Sequence, residues 1–256
     1  MTDVIEFAGN RSTHYKDALL LYPDAWRQDI ECMRRFLRPS PGEKILEIGG
    51  GSGYFSRAIS AALGPSGRLV VTDPSIEQVD ALRGAPDSNI RVVQQAADAL
   101  HLDTRDFDAV WSRGAIHHVT DKASAFAACA RHVRPGARLV IYDIFADTPL
   151  ARYFDGFIAK SCSTGHEAAF LSEEFAKTLC ALTGWSEPRF CEVTVPWEFD
   201  SRKAIGHFLR LLFSATDAYS DADCLAAAET FLSVSTTRAG HALMWPMTVM
   251  VAQRLA

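Results

Sequence analysis

The sequence predicts an α/β fold in which helices cover both faces of a doubly wound, mostly parallel sheet. The chain of 256 residues suits one elaborated domain, and 48% hydrophobic against 22% charged residues gives ample core material. Between residues 44 and 143, short apolar runs alternate with helical patterns. Such apolar runs are typical of parallel strands buried on both faces, and helical connections between them imply right-handed βαβ units.

The elements of this sheet follow one another in a regular order. Apolar, β-branched runs predict strands at 44–48, 68–73, 90–93, 107–111 and 138–143. Gly64-Pro65 ends the first of the intervening helices. Ser75 and Gln78 form a capping box at the start of the second helix, and a third covers about 121–133.

The remaining segments are less regular. We expect helices over about 18–37 and 173–182, a strand over 191–199, helical patterns over 200–243 and a final strand over 247–255. Residues 147–172 are polar, small and aromatic without clear periodicity. Because the sequence has no internal repeat or linker, it predicts a single domain with additions to the sheet.

Composition and cysteine usage exclude several classes of protein. The chain has 26 Lys and Arg against 31 Asp and Glu, so it lacks the basic excess that favours nucleic acid. Its six cysteines form no C-x-x-C pair, and residues 1–10 contain no basic start before an apolar stretch. No run reaches the roughly 18 apolar residues of a membrane span. We expect a reduced, cytoplasmic protein without a nucleic-acid or membrane partner, and the sequence does not indicate its oligomeric state.

A glycine-rich turn follows the first predicted strand. Gly49, Gly51 and Gly53 allow a ligand to approach the backbone at a helix N-terminus. A dinucleotide fingerprint would place a third glycine where Tyr54 stands, and Glu47 would repel a pyrophosphate. Glu47 suits a cationic ligand instead, such as an ammonium or sulfonium group.

Asp73 ends the second predicted strand, 20 residues after Gly53. A carboxylate at this point can accept hydrogen bonds from both ribose hydroxyls of a nucleoside. Three features together indicate a pocket for S-adenosylmethionine. They are a carboxylate that can bind ribose, a glycine turn that makes no phosphate contact, and an acidic residue that can face a cation.

The motifs in this region occur in the order of a known family. Residues 47–53, with Asp73, resemble the first two motifs of class I S-adenosylmethionine-dependent methyltransferases. Residues 97–100 resemble a G-D-A-x-x-L segment in which Ala97 replaces the usual glycine, and residues 107–118 and 133–136 resemble the fourth-strand motif and the turn before strand five. The resemblance covers about 40–145 and is greatest to the small-molecule branch of ubiquinone/menaquinone-type and sugar or phenol O-methyltransferases.

The resemblance implies a Rossmann-like sheet with an antiparallel last strand and a helical cap over the carboxyl edge. It divides the single domain 1–256 into N-terminal helices or a lid at 1–40, a cofactor-binding core at 41–146, cap segments and late sheet elements at 147–246, and the last strand at 247–256. It also implies a set of cofactor contacts: Glu47, Gly49, Gly51 and Gly53 near the methionyl and ribose side, Asp73 on the ribose, Pro74, Asp98 and Ala99 at the adenine, Ser112 or Arg113 at the methionyl part, and Tyr15 at the sulfonium.

The acceptor chemistry depends on the two histidines that follow strand four. Methyl transfer to a hydroxyl requires removal of a proton, and histidine is a natural base. In some sugar and phenol O-methyltransferases of this branch, a histidine at the position of His117 is oriented by an aspartate after strand five, where Asp143 stands. Since adjacent residues rarely point the same way, His118 is the alternative base. His166-Glu167 has no second ligand pair, so we expect no metal.

The acceptor itself is not encoded in a motif. We expect a small, apolar or aromatic molecule methylated at oxygen, bound by a cap built from about 1–25, 147–172 and 200–243. The aromatic side chains of those segments either line this pocket or simply pack together: Phe154, Phe157, Trp197, Phe208 and Phe213. Two alternatives remain, methylation at carbon or nitrogen without a strong base, and a cofactor-binding partner or regulatory protein that transfers no methyl group.

Overall fold

The chain forms two compact units in a computed structural model that describes residues 6–83, 89–166, 168–238 and 240–256. The core unit comprises the described parts of 32–145, 168–192 and 248–256. The accessory unit comprises the described parts of 6–31, 146–166 and 193–247. The described residues do not include 1–5, which belong to the N-terminal helices or lid expected at 1–40. They also do not include Glu167 of the pair His166-Glu167, for which no metal is expected.

The sheet has the predicted doubly wound, mostly parallel order. Its strands are β1 Lys44–Ile48, β2 Arg68–Asp73, β3 Ile90–Gln94, β4 Phe107–Arg113, β5 Val133–Asp143, β6 Arg189–Phe199, β7 Val234–Thr237 and β8 Gly240–Gln253. The order across the sheet is β3-β2-β1-β4-β5-β8-β6, and β7 pairs with β8. Strands β1 to β5 pair in parallel, whereas β8 runs antiparallel to β5 from Arg138↔Gln253 to Asp143↔Thr248. The antiparallel last strand is confirmed.

The helices begin and end at local signals. Their bounds are α1 Gly9–Leu21, α2 Arg27–Leu37, α3 Tyr54–Leu63, α4 Ile76–Arg83, α5 Lys122–His132, α6 Pro149–Tyr153, α7 Ala159–Ser161, α8 Glu173–Thr183, α9 Arg202–Leu212 and α10 Asp221–Phe231. Half of the predicted capping box before α4 forms: Ser75 Oγ accepts a hydrogen bond from Gln78 N at 3.3 Å, whereas Ser75 N donates to Asp73 Oδ1 and not to the Gln78 side chain. No helix within the described ranges has both the length and the apolar character to cross a bilayer.

Several element boundaries differ from the sequence prediction. The single helix expected over 18–37 is two helices, because Pro23 disfavours helical backbone at the residue before it and cannot donate within a helix. Strand β5 begins at Val133 instead of 138, and a register shift lets Pro135 and Gly136 lie within it. The helical pattern expected over 200–243 ends at Phe231, after which β7 and an early start of β8 follow.

The accessory unit contains a core of packed rings. The rings of Trp197 and Trp245 stack with centroids 4.0 Å apart, and the Trp197 indole donates to buried Asp29 at 2.9 Å. Phe208 lies 5.6 Å from Trp197, and Phe213 lies 6.3 Å from Trp245. Of the aromatic residues that the sequence assigned either to a pocket lining or to packing, Trp197 packs on Phe208 and Phe154 packs on Phe213, whereas Phe157 stacks on Tyr153.

Candidate active site

A glycine-rich loop joins β1 to α3. Gly49, Gly51 and Gly53 all have positive φ, at 68°, 55° and 85°. A Cβ atom on Gly49 would lie 2.2 Å from the Cβ of Ala115. A Cβ on Gly53 would lie 2.1 Å from the side chain of Leu82. At both positions, backbone conformation and packing independently require glycine.

Asp73 ends β2 and holds the loop in place. Its Oδ2 accepts a hydrogen bond from Gly51 N at 3.0 Å, and its Oδ1 accepts one from Ser75 N at 2.9 Å. Burial raises the pKa of Asp73, although these two hydrogen bonds oppose the shift. Because each carboxylate oxygen has a further lone pair, the group can still accept hydrogen bonds from two ligand hydroxyls.

Glu47 lies in β1, two residues before Gly49. Its side chain is buried, and its Oε2 accepts a hydrogen bond from Ser56 Oγ at 2.5 Å. Burial raises the pKa of Glu47 to about 8, opposed by the Ser56 hydrogen bond and assisted by the negative charge of Asp73. The carboxyl is therefore largely neutral at pH 7, and a cation bound beside it would favour its ionised form.

The carboxyl ends of β4 and β5 bring His117 and Asp143 together. Asp143 is the last residue of β5, and His117 lies in the 3₁₀ turn Ile116–His118 that follows β4. The His117 Nδ1 is 2.5 Å from Asp143 Oδ1, and both side chains are buried. His117 and Asp143 are therefore within hydrogen-bond distance of each other, as the sequence predicted.

Asp143 is held by backbone donors as well as by the histidine ring. Ile144 N donates to Oδ1 at 2.7 Å, and Ile116 N and His117 N donate to Oδ2 at 2.8 and 3.3 Å. Burial would raise the pKa of Asp143, but the charge and hydrogen bond of His117 and the Ile144 N–H lower it below its usual value.

The ionised state of Asp143 determines which nitrogen of His117 carries the proton. A carboxylate only accepts hydrogen bonds, so the Nδ1 that faces it must donate. The Nε2 of the neutral ring then carries the lone pair, which is the tautomer that a general base requires. The arrangement can take a proton from a hydroxyl that lies against Nε2.

Comparison with known proteins matches this region to one family. The family model described as a methyltransferase domain matches residues 45–136, which include the glycine loop, Asp73, His117 and His118. A ubiquinone/menaquinone biosynthesis C-methyltransferase of Hahella chejuensis is 32% identical over 112 residues, 42% of this chain and 45% of that protein. An O-methyltransferase of Aspergillus sclerotiorum is 31% identical over 147 residues, 54% of this chain and 56% of that protein.

A solved structure shares the fold. An S-adenosylmethionine-dependent methyltransferase of Thermotoga maritima superposes with a TM-score of 0.62 at 16% identity, covering 94% of this chain and 95% of that one. This chain carries a class I S-adenosylmethionine-dependent methyltransferase domain. A phosphoethanolamine N-methyltransferase of Haemonchus contortus, solved in complex with S-adenosyl-L-methionine, superposes with a TM-score of 0.68 at 16% identity, covering 99% of this chain and 59% of that one. The chain spans under half the length of the Hahella relative.

The residues of the methyltransferase domain fit this cofactor at two points. Asp73 offers oxygen lone pairs at the strand end, which suits the two ribose hydroxyls. Gly114 follows β4 with a φ of 61°, and a Cβ there would meet none of the described atoms within 4 Å. Open space therefore lies at the end of β4, one residue from the Ala115 that packs against the glycine loop.

The residues expected at the adenine lie in the core unit. Pro74 follows Asp73 directly, and its carbonyl accepts a hydrogen bond from Gln94 Nε2 at 3.2 Å. Asp98 and Ala99 lie in the 3₁₀ turn Ala97–Ala99, where Asp98 is half-buried and Ala99 is exposed. Their contacts with the adenine stay predictions.

The residues expected at the methionyl part have partners within the protein. Ser112 is buried, and its Oγ donates to the carbonyl of Ile48 at 3.1 Å, which ties β4 to β1. The guanidinium of Arg113 lies over the rings of Phe55 and Tyr142, at 5.3 and 5.9 Å from their centroids. Whether either side chain also meets the cofactor stays a prediction.

Tyr15 and His166 belong to the accessory unit. The ring of Tyr15 lies 5.4 Å from Phe7 and 5.8 Å from Trp26, and its role at the sulfonium stays a prediction. The ring of His166 lies 5.0 Å from Phe154.

Lys122 is a charged residue of the site that sequence reasoning missed. It is the first residue of α5, it is buried, and its Nζ donates to the carbonyl of Val119 at 2.8 Å. Burial lowers the pKa of Lys122, and the negative charge of Asp143 partly opposes the shift. The only sequence signal near Lys122 is the adjacent Asp121, which caps the helix. A lysine in the first turn of a helix is ordinarily solvated, so this signal does not predict burial.

A matched pair of glycine substitutions tests whether the loop is constrained by packing. Gly64 also has positive φ, but a Cβ there would meet none of the described atoms within 4 Å. Gly64→Ala should lower the free energy of unfolding by about 1–3 kcal/mol, because φ 64° with ψ −176° is a backbone conformation that is essentially restricted to glycine. Gly49→Ala should lower it by about 1–3 kcal/mol more because it overpacks against Ala115. Urea denaturation measures both, and equal losses would contradict the packing argument.

Proposed function

We propose that this protein transfers the methyl group of S-adenosylmethionine to a hydroxyl of a small apolar or aromatic molecule, with His117 as general base. The observation that carries the proposal is the 2.5 Å contact between His117 Nδ1 and the ionised Asp143. When bound, the cofactor would supply an electrophilic methyl group, and its sulfur would keep the electron pair of the sulfur–carbon bond that breaks. His117 Nε2 accepts the hydroxyl proton as the oxygen attacks, and Asp143 stabilises the imidazolium that forms.

The remaining residues of the site are assigned to cofactor binding. Asp73 binds the ribose, Glu47 faces the positive charge when it is ionised, and the loop from Gly49 to Gly53 lets the cofactor approach the backbone. Lys122 favours the ionised state of Asp143, since the two charges interact.

Carbon methylation is the second candidate. The Hahella relative is named a C-methyltransferase, whereas the Aspergillus relative is named an O-methyltransferase. A test of both uses purified protein, labelled S-adenosylmethionine and a panel of simple phenols, with mass spectrometry of the products. A labelled methyl ether supports the proposal, and a methyl group on ring carbon supports the alternative. Cofactor binding without turnover of any phenol would contradict both in favour of a non-catalytic binding protein.

Removal of the ribose carboxylate tests cofactor binding directly. Asp73→Ala should weaken binding of S-adenosylmethionine by about 1.5–3 kcal/mol, the usual range for hydrogen bonds to a charged group. Isothermal titration calorimetry measures the affinity, and a melting curve shows whether loss of the Gly51 and Ser75 contacts also weakens the fold. Asp103→Ala is the control, because the Asp103 side chain is 97% exposed. Unchanged affinity in folded Asp73→Ala would contradict the ribose assignment.

A further inference from the structure

Three arginines line one cavity of the core unit. The cavity has a volume of about 300 Å³, and its walls come from the end of α2 and from strands β6 and β8. Arg35 lies in the last turn of α2, Arg38 follows that helix, and Arg189 is the first residue of β6. All the residues that line the cavity belong to the core unit, so the site is built within one unit.

The charges of these three arginines are not compensated within the protein. None of the three guanidinium groups forms a hydrogen bond or an ion pair with any of the described residues, and the described lining contains no carboxylate. Other arginines of the same unit do pair, since Arg134 contacts Asp108 at 2.7 Å and Arg138 contacts Glu43 at 2.8 Å. The whole chain has a formal net charge of −5, so this cluster is a local excess of positive charge. Like charges gathered around one cavity favour an anion between them.

The backbone of Arg38 supports a role for its side chain. Arg38 has a φ of 51° at the position after α2, where helices commonly end with glycine. Left-handed backbone costs a residue with a Cβ atom about 1–2 kcal/mol. An arginine at this position therefore lowers the stability of the fold, as side chains that serve a ligand often do.

The floor of the cavity is apolar. Val249 and Val251 line it from β8, and they alternate with Met250, which belongs to the hydrophobic core on the other face of the sheet. The ring of Phe36 also lines the cavity, with the Arg35 guanidinium 5.2 Å from its centroid. An apolar floor with a few charged groups is typical of small-molecule sites, and about 300 Å³ reaches the lower end of their size range.

The cavity lies away from the catalytic edge of the sheet. Asp143, which ends β5 beside His117, pairs with Thr248, whereas Val251 pairs with Val140 three residues earlier in β5. At about 3.3 Å per residue, Val251 is therefore roughly 10 Å from the carboxyl end of that strand. A ligand in the cavity would not occupy the site of methyl transfer.

We infer that this cavity binds a small, soluble phosphate monoester with an apolar or aromatic body, and that Arg35, Arg38 and Arg189 hold its phosphate. A phosphate monoester carries nearly two negative charges at neutral pH and has three strong acceptor oxygens, so it matches three guanidinium groups better than a carboxylate does. The planar fork of arginine donates to phosphate oxygens in pairs. The inference is independent of the proposed function, because the ligand is neither the cofactor nor the acceptor.

Two probes of the same shape but different charge test this site. At about pH 7.5, phenyl phosphate is largely a dianion, whereas phenyl sulfate is a monoanion. Isothermal titration calorimetry of the full chain should show phenyl phosphate binding roughly tenfold more tightly than phenyl sulfate. Inorganic phosphate should also bind more weakly than phenyl phosphate, because it lacks a body that can cover the apolar floor.

Substitution of the arginines assigns the binding to this cavity. Arg38→Gln and Arg189→Gln should each weaken binding of phenyl phosphate by roughly ten- to a hundredfold, the effect of hydrogen bonds to a charged group. Both side chains are exposed, so neither substitution should prevent folding, and melting curves check this. Arg105→Gln is the matched control, because Arg105 is an exposed arginine of the same unit that does not line this cavity. It should leave the affinity unchanged.

A thiol in the cavity gives a second readout. Cys191 lines the cavity and is half-buried, whereas the other five cysteines are buried. N-ethylmaleimide should therefore modify Cys191 first, and mass spectrometry of peptides measures the rate. Phenyl phosphate should slow this reaction severalfold, and saturating S-adenosylmethionine should neither slow it nor displace phenyl phosphate.

Several results would overturn the inference. They are no binding of phenyl phosphate at millimolar concentration, equal affinity for phenyl sulfate, an unchanged affinity in both folded arginine variants, or binding that leaves the alkylation of Cys191 unaffected. A phosphate headgroup has the same chemistry, so sedimentation with vesicles of phosphatidylcholine and phosphatidic acid provides the comparison. Binding to those vesicles without binding of phenyl phosphate would assign the three arginines to a membrane surface instead.

Discussion

Replacement of His117 by alanine is expected to lower kcat by about 10²–10⁴-fold, the usual contribution of a positioned general base. The affinity for S-adenosylmethionine should stay nearly unchanged, because the imidazole acts on the acceptor hydroxyl and not on the cofactor. Steady-state kinetics with an accepted phenol measures the loss, and calorimetry measures the cofactor affinity. A fall in both would indicate that His117 supports the cofactor site.

His118→Ala is the matched control for this prediction. The two rings lie 4.0 Å apart, so both substitutions remove an imidazole from one place in the fold. His118→Ala should reduce kcat far less than His117→Ala, and the reverse order would assign the base to His118. Asp143→Asn should reduce kcat less than His117→Ala. It should also destabilise the turn, because the side-chain amide would place its NH₂ group opposite donors that now face an oxygen.

Replacement of Glu47 by glutamine is expected to stabilise the cofactor-free protein at alkaline pH. The pKa of Glu47 rises from its ordinary 4.5 to about 8 in the fold, so folding favours the protonated carboxyl. The protonated Glu47 carboxyl therefore stabilises the fold fully below about pH 4.5. This stabilisation is lost as the pH rises from there through about 8. Between pH 5 and 8, the wild-type protein should lose on the order of 4 kcal/mol at about 1.4 kcal/mol per unit.

Urea denaturation at pH 5 and pH 8 measures this difference. Glutamine is neutral throughout, so the advantage of Glu47→Gln over the wild-type protein should be small at pH 5 and large at pH 8. Glu187→Gln changes an exposed glutamate and should show no such pH-dependent advantage. An advantage of Glu47→Gln that does not grow with pH would show that Glu47 is ionised in the fold throughout this range.

The sequence predicted the parts of the fold and site that depend on local pattern. Apolar runs located the five parallel strands. Those strand assignments then placed the carboxylates of Glu47, Asp73 and Asp143 at or near strand ends. Because the carboxyl ends of adjacent parallel strands share one edge, the proximity of His117 to Asp143 could be predicted without coordinates. The left-handed glycines of the loop were likewise visible as a pattern.

Features that depend on distant contacts could not be predicted in this way. The burial of Lys122 depends on tertiary packing, and the residue has no sequence signal that distinguishes it from a solvated cation. The two compact units are each assembled from segments far apart in the chain, which periodicity does not reveal. The break between α1 and α2 is marked in the sequence by Pro23, which the helix expected over 18–37 ignored.

The position of β8 has a consequence for biosynthesis. This strand lies between β5 and β6 in the sheet, although both of those strands leave the ribosome before it. Until residues 248–253 have been synthesised, the backbone donors and acceptors on one side of β5 lack the partner that they have in the finished protein. Exposed strand edges of this kind promote pairing between chains. Nascent chains that stall before β8 should therefore require chaperone protection, and the core unit should complete its sheet only after translation of that strand.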